Sequence, residues 1–431
     1  MSDKLGLKEL IAIGIGSMIG GGIFSVMGLA SEISGHATPF VFIMGGIIAA
    51  FAGYNYAKLA LAFEEDGASY IYLRRAFPKK PFIAAIVGWS VIVGYIGTLA
   101  LYSYTFGSYA AAMFNFPNSY FVRTLFALSI LSIFLGINLK GIKEMGESED
   151  IIVFLKVLIM FIMGGAGLLF IDKNHFIPLF DKGIGSVFLS GAMVFVAFEG
   201  FQLITNSVAE TKNPSKNTPL SIYLSIVIVT LIYILLAVST LGILTQQEIA
   251  KAKEYAIAEA LKPIFGEYGF ILASLAALLA TSSAINGTLF GASRMMADIA
   301  KDKIFPSFLS KKNRKNIPYH ALLTMYILAA AFVFYGKLDS IIAFSSMTFL
   351  LVSLAVAIAN LKLYKNTNSH IFIIIISIIL MSATILLMIS YMYQNDRENL
   401  YAIAVIYLSI TVLFLIYQYT KKWRPGQDSN L

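Results

Sequence analysis

The sequence contains no cysteine, which excludes disulfide bonds, thiolate metal ligands and a cysteine nucleophile. Its four histidines are scattered without the spacing of a metal site, so we expect neither a metal nor a cofactor. No G-x-x-x-x-G-K-S/T loop is present, which argues against ATP hydrolysis by this chain alone. Only 13% of the 431 residues are charged, whereas soluble domains contain about 25%.

Apolar residues are abundant instead, at 58% of the chain, and they occur in repeated runs of 18 or more. Such runs can cross a bilayer as helices, because every backbone group in hydrocarbon must be bonded internally. We therefore expect an all-α integral membrane protein, with the first span retained and not cleaved as a signal. Its twelve predicted spans are roughly 9–30, 38–63, 82–113, 121–139, 150–171, 186–208, 219–244, 267–297, 319–336, 339–361, 370–392 and 399–420.

The basic residues are unevenly divided between the two sides that these spans define. The loops on the side of the N-terminus, with both termini, carry more than twice as many Lys and Arg as the opposite loops. The positive-inside rule therefore predicts cytoplasmic termini, a cytoplasmic tail at 421–431 and a place in the plasma membrane. The same bias explains the net charge of +8 without a nucleic-acid partner. On the opposite side, residues 245–266 are either a helical lid or a plain amphipathic connector.

A run of glycines interrupts the first span, 11-IAIGIGSMIGGGIF-24. Each glycine costs about 1 kcal/mol in a helix interior, so the run favours a break. Unwound backbone is tolerated at membrane depth only where it is buried in protein or lines a wet cavity. A break exposes N–H groups on one side and C=O groups on the other, which suits a ligand with a carboxylate and an ammonium. The alternative is close helix packing through small residues.

The sixth span, 191-GAMVFVAFEGFQLITN-206, is also interrupted, with Glu199 near its middle. An acid at that depth costs at least about 2.5 kcal/mol and normally faces the bundle interior. Two interrupted spans in corresponding places indicate a transporter of two inverted repeats with five spans each. We predict a single transporter domain over 1–420, whose repeats cover about 9–171 and 186–361, followed by two extra helices at about 370–420.

Five motifs together resemble the amino acid–polyamine–organocation (APC) transporter superfamily, which has a LeuT-like fold with discontinuous helices 1 and 6. The likeness covers about residues 5 to 420 and extends to the sodium-independent, proton-coupled archaeal and bacterial branch. The motifs are 14-GIGSMIGGGIF-24, 57-AKLALAFEEDGASYIYLRRAF-77, 195-FVAFEGF-201, 209-AETKNPSKNTP-219 and 281-TSSAINGTLFGASRMMADIAKD-302.

The resemblance implies a substrate site at the two breaks. The glycines would offer N–H groups to the substrate carboxylate, and carbonyls of both breaks would meet its ammonium. Phe198 would lie near an aromatic residue that closes over the substrate. The positions that match the family's contacts are Met18, Gly20, Gly21, Gly22, Val196, Ala197, Phe198 and Glu199.

The role of Glu199 stays open at this stage. Its carboxylate could pair with a cationic substrate, exchange a proton, or hydrogen-bond the unwound backbone. Similar acids occur at this place in relatives, so Glu199 alone does not imply a cationic substrate. The contacts that the resemblance implies would bind the carboxylate and ammonium that all amino acids share. They do not indicate which side chain the substrate carries.

Lys156 is the one basic residue within the apolar fifth span, 149-EDIIVFLKVLIMFIMGGAG-167. It could extend to the cytoplasmic surface while its stem stays in the membrane. The resemblance instead implies that its amine occupies the place of a sodium ion between spans one and eight, beside the Gly16 carbonyl, Ser282 and Ser283. A buried amine favours its neutral form and could exchange a proton that biases gating.

These observations predict a secondary active transporter of amino acids that uses proton symport and alternating access. An exchanger of cationic amino acids or polyamines, or an amino-acid sensor that does not transport, are alternatives. An enzyme is not expected, because no nucleophile accompanies Glu199 and Lys156. The expected partners are an amino acid, a coupling proton and membrane lipid, and the oligomeric state is left open.

Overall fold

The structure, a computed structural model, describes residues 4–63, 68–116, 119–141, 146–302 and 304–422. These residues are almost entirely helical, and their one β-bridge joins Leu5 to Thr211. The α-helices are α1 Leu7–Met18, α2 Gly22–Ser34, α3 Thr38–Phe63, α4 Ala68–Ala76, α5 Pro81–Met113, α6 Tyr120–Lys140, α7 Gly146–Gly167, α8 Ile184–Met193, α9 Pro214–Ile243, α10 Gln246–Ala252, α11 Ala256–Glu259, α12 Lys262–Lys301, α13 Tyr319–Tyr335, α14 Leu338–Lys362, α15 Ile371–Asn395 and α16 Arg397–Lys422.

Nine helical stretches within the described ranges are long and apolar enough to cross a membrane. The bent pair Ile184–Met193 and Phe195–Glu210, with 56° between its halves, would raise that number to ten. Helices α2 and α3 together form one of these stretches, Gly22–Phe63, and the shorter α13 is not among them. Each predicted span coincides mainly with helical residues, but twelve crossings and the inverted repeat stay predictions.

The first span is interrupted at its glycine run. Helix α1 ends at Met18, Ile19 leaves the helical region with ψ of 73°, and α2 begins at Gly22. The N–H of Gly20 turns back to the Met18 carbonyl at 2.9 Å, and regular bonding resumes only at Ser25. Over about one turn, the peptide groups are therefore not part of a regular helical hydrogen-bond pattern.

The sixth span is interrupted as well. After α8, a 3-10 turn covers Phe195–Phe198, Glu199 is extended, and a longer 3-10 helix covers Phe201–Glu210. Gly200 lies between them with φ of +129°, a conformation that only glycine adopts without strain. A β-carbon at Gly200 would lie 2.6 Å from the carbonyl carbon of Ser17. The second break therefore packs directly against the end of α1.

Long helices surround the two broken spans. On one side α5 packs against α6, α12 and α14, and on the other α9 packs against α1, α3 and α7. Helices α5 and α9 begin with Pro81 and Pro214, whose missing N–H groups need no acceptor in a first turn. Because both breaks lie between these two groups of helices, side chains from either group can reach the exposed peptide groups.

The segment after α9 contains the short helices α10 and α11, which pack against α2. Ser31 of α2 donates a hydrogen bond to Gln246 at 2.8 Å. The N-terminus of α10 is closed by Thr245, whose N–H donates to Glu248 at 2.8 Å and helps to lower the pKa of that carboxyl. The segment 245–266 is thus helical and covers the end of α2.

Candidate functional site

A cavity of about 390 Å³ lies beside the two breaks. It extends along α1 from the exposed Glu9 to Ser17 and ends at Glu199 and Gly200. Helices α1, α5, α7, α12 and α14 contribute its walls together with the sixth span. The described residues that line it are Leu5, Glu9, Ala12, Ile13, Gly16, Ser17, Tyr95, Thr98, Tyr102, Val153, Glu199, Gly200, Gln202, Leu203, Ser283, Ala284, Gly287, Thr288 and Phe349.

The Glu199 carboxylate is 5% exposed at the inner end of this cavity. It accepts a hydrogen bond from the amide nitrogen of Gln202. The amide oxygen of Gln202 in turn accepts from the N–H of Gly200 at 2.9 Å. Glu199 therefore contacts the unwound backbone indirectly, through Gln202. Its pairing with a cationic substrate and its exchange of a proton stay predictions. Gln202 was not among the predicted site residues, although it lies within the interrupted stretch 191–206.

Side chains of other helices form hydrogen bonds with further peptide groups of the breaks. Ser346 of α14 donates to the Met193 carbonyl at 2.6 Å and accepts from the Val196 N–H at 3.0 Å. The Tyr233 hydroxyl of α9 lies 3.0 Å from the Met18 carbonyl oxygen and 2.9 Å from that of Ala197. Sequence reasoning missed Ser346 and Tyr233, since a break requires partners for its peptide groups without indicating which helix supplies them.

The predicted substrate residues meet at the breaks, and among them Glu199 lines the cavity directly. The carbonyls of Met18 and Ala197 converge on one hydroxyl, and a β-carbon at Gly22 would lie 2.8 Å from the Ala197 Cα. Gly20 already donates its N–H to Met18. The remaining predicted positions, Gly21, Val196 and Phe198, are buried around this junction.

Phe198 is completely buried, with its ring 5.3 Å from that of Tyr233. In this conformation it faces α3 and α9 and is not among the described residues that line the cavity. Among the described residues, the aromatic ones that line it are Tyr95 and Tyr102 of α5 and Phe349 of α14. The closing aromatic residue that the resemblance implies near Phe198 stays a prediction.

Lys156 is completely buried and does not extend to the surface. Its Nζ donates to the Gly16 carbonyl of α1 at 2.7 Å. Val153, one turn earlier on α7, packs against Gly16 and lines the cavity. The structure therefore brings Lys156 and Gly16 together, while Ser283 lines the cavity and Ser282 lies half-buried beside it on α12.

A family model described as amino acid permease matches residues 5–421. The chain belongs to the amino acid permease family. This confirms the resemblance to the APC superfamily that the sequence motifs indicated. The permease is thus a multi-pass membrane protein and a transporter of amino acids, not an enzyme.

Three relatives show how far the likeness extends. The uncharacterized protein MJ0609 of Methanocaldococcus jannaschii is 30% identical to this permease over 98% of this chain and 97% of its own. The branched-chain amino acid permease BcaP of Bacillus subtilis is 25% identical, over 84% and 82% of the two chains. The mitochondrial cationic amino acid transporter 3 of Arabidopsis thaliana is 26% identical, over 83% and 62%.

The Ser346 hydroxyl should contribute more to the stability of the permease than the adjacent Ser345 hydroxyl. Both are buried, but Ser345 has no hydrogen-bond partner among the described residues. Ser346→Ala leaves two backbone groups of the sixth span unsatisfied, at about 1–3 kcal/mol for each. We expect thermal unfolding in detergent to show a clear fall in Tm for Ser346→Ala and a small change for Ser345→Ala. Equal falls in Tm for the two variants would contradict the assignment of these hydrogen bonds to Ser346.

Proposed function

We propose that this permease is a proton-coupled secondary transporter that carries a zwitterionic amino acid across the plasma membrane by alternating access. The observation that carries the proposal is the meeting of the two breaks beside the cavity. There the Met18 and Ala197 carbonyls both lie about 3 Å from the Tyr233 hydroxyl, and Gly22 at the start of α2 packs against Ala197. Backbone C=O groups and backbone N–H groups are thus close together inside an apolar protein.

The substrate carboxylate belongs at the start of α2. The first N–H groups of an α-helix have no acceptor within the helix, and its dipole favours an anion at that end. Gly21 and Gly22 add no side chain of their own beside these N–H groups. The ammonium belongs at the carbonyls of Met18 and Ala197, which the family resemblance also assigns to it. The substrate side chain then extends towards the cavity, and an aromatic residue near Phe198 closes over the substrate when the site is occupied.

Lys156 is the proposed proton site. A protonated amine offers three hydrogens, of which one reaches the Gly16 carbonyl. We assign the others to Ser282 and Ser283 of α12, the neighbours that the family resemblance implies. This holds α1 against α7 and α12. Loss of the proton weakens the link, so α1 is released and the gating equilibrium shifts.

The direction of the cavity supports an inward-facing conformation. The cavity reaches the exposed Glu9 at the N-terminal end of α1, which the charge bias assigns to the cytoplasm. Twelve spans in a five-plus-five inverted repeat with cytoplasmic termini complete the proposal. The helices at the predicted spans, with breaks in the first and sixth, support this arrangement.

The topology can be tested with single cysteines, because the chain has none of its own. Lys216→Cys and Lys251→Cys place thiols at exposed positions on the two predicted sides. A membrane-impermeant maleimide added to intact cells should label position 251 and should reach position 216 only after permeabilisation. Labelling of position 216 in intact cells would contradict cytoplasmic termini.

A second candidate is exchange of cationic amino acids. It is favoured by the Glu199 carboxylate at the end of the cavity and by the relative named as a cationic amino acid transporter. An exchanger needs substrate on the far side, so vesicles without internal substrate would show no net uptake. A sensor would bind amino acid without accumulating it.

Uptake by proteoliposomes tests the proposed function directly. The wild-type chain should accumulate labelled amino acid when the outside is more acidic than the inside, and it should do so in sodium-free buffer. Lys156→Met keeps the apolar stem but removes the proton site, so its uptake should fall and lose its dependence on pH. Lys182→Met, at an exposed position, is the matched control and should behave as wild type. Strict sodium dependence, or wild-type pH dependence in Lys156→Met, would overturn proton coupling.

A further inference from the structure

A second cavity, of about 360 Å³, lies between α13, α14 and α16. Residues within 331–336, 340–344 and 399–406 line it, and we call it the α13–α16 cleft. Most of these residues are apolar, and the rings of Phe332 and Phe344 lie 5.3 Å apart in its wall. None of its described lining residues belongs to the substrate site, so the cleft needs an occupant of its own.

The cleft is polar at one end only. Near the starts of α14 and α16, the Ser340 hydroxyl donates to the Asn399 side chain at 2.6 Å, and the Asn399 amide donates to Asp396. Arg397 follows Asp396 in the chain and is exposed. From Asn399 the lining continues along α16 to Ile406, about 10 Å at 1.5 Å per residue. The space therefore has a polar mouth and an apolar interior.

Two small residues leave the cleft open on its membrane side. Ala331 of α13 and Ala402 of α16 both line it and are exposed. Phe334 and Val405, on the same two helices, are 50% and 59% exposed. Large apolar side chains exposed on membrane helices contact lipid. The cleft therefore opens towards the hydrocarbon of the bilayer.

The dimensions of the cleft decide which occupant fits. An empty space is unfavourable, because the atoms around it lose dispersion contacts on one side. Water does not fill an apolar cavity, since it finds no hydrogen-bond partners there. A helix of a second copy is about 10 Å across, too wide to enter a space of this volume. A single hydrocarbon chain is much thinner, so a lipid chain fits, with its headgroup at the polar mouth.

The charges at the mouth distinguish between headgroups. Asp396 and Glu398 stand on either side of Arg397 at the start of α16. An anionic headgroup would meet two negative charges and one positive charge there. The headgroup of phosphatidylethanolamine offers an ammonium to the carboxylates and a phosphate to the guanidinium. A zwitterionic headgroup therefore complements this mouth better than an anionic one.

We propose that the α13–α16 cleft binds one chain of a zwitterionic phospholipid, whose phosphate lies at Arg397 and whose amine lies at Asp396. The bound chain supports α14 on the side opposite the sixth span. Phe344 lines the cleft, whereas Ser346 bonds the break in the sixth span. Two residues apart in a helix are about 200° apart around its axis. The site is independent of the proposed transport mechanism.

Native mass spectrometry of the full chain in detergent measures the lipid that it retains. Each variant is incubated with equal amounts of dioleoyl phosphatidylethanolamine and dioleoyl phosphatidylglycerol. Ala402→Trp fills the cleft, so we expect it to retain one phosphatidylethanolamine molecule fewer than wild type. Ala404→Trp is the matched control, because Ala404 is exposed on the same helix but does not line the cleft. It should retain as much as wild type.

Thermal unfolding tests whether this lipid supports the fold. A ligand that binds the folded state stabilises it, so added phosphatidylethanolamine should raise the Tm of delipidated wild type and of Ala404→Trp. Ala402→Trp should lose most of that rise, because the indole occupies the place of the chain. A loss of the rise together with the loss of one bound lipid supports the proposal.

Three results would overturn the proposal. One is equal retention of phosphatidylethanolamine by wild type and Ala402→Trp, and another is retention of phosphatidylglycerol by wild type to the same extent. The third is a wild-type dimer that Ala402→Trp abolishes, which would assign the cleft to a second copy of the chain. Each of these results leaves the proposed function unaffected.

A photoreactive phosphatidylethanolamine covers the case in which Ala402→Trp does not fold. It carries a diazirine on one chain and is illuminated with the wild-type protein, and peptide mapping identifies the labelled residues. Phe344 is 2% exposed, so a lipid chain reaches it through the cleft. We expect label on Phe344. Label confined to residues on the outer surface, such as Leu386 and Val405, would contradict the proposal.

Discussion

The peptide groups at the two helix breaks need hydrogen-bond partners, and the rest of this structure depends on that constraint. A backbone group without a partner in an apolar medium costs several kcal/mol, so each break must be supplied with donors and acceptors from within the protein. Ser346, Tyr233 and Gln202 provide them from three different elements. The same groups hold the two breaks together at the place where we propose that the substrate binds.

Much of this arrangement could be predicted from the sequence, because the strongest signals are local. Long apolar runs specify membrane helices, and the glycines before Ile23 specify where the first helix ends. The motifs also predicted the amino acid permease family that the comparison confirmed. For Lys156 the sequence left two orientations open. The structure selects the buried one, since the amine contacts Gly16 and not the surface.

The supporting residues could not be predicted, for a physical reason. The permease has 23 tyrosines, and nothing near position 233 distinguishes a tyrosine that bonds a break from one that packs in the core. Ser345 and Ser346 are adjacent and equally buried, yet only the three-dimensional path of the sixth span decides which hydroxyl is used. The number of membrane crossings likewise stays a prediction, because broken and short helices do not meet a length criterion that unbroken spans pass.

The central claim is that peptide groups of the two breaks bind the carboxylate and the ammonium of an amino acid. It is tested most directly by competition against a bound labelled amino acid with three compounds: the same amino acid, its methyl ester, and its deaminated acid. The account predicts that the intact amino acid displaces the label, and that each analogue, lacking one of the two charged groups, is far weaker. Displacement by either analogue at the concentration of the intact amino acid would contradict it.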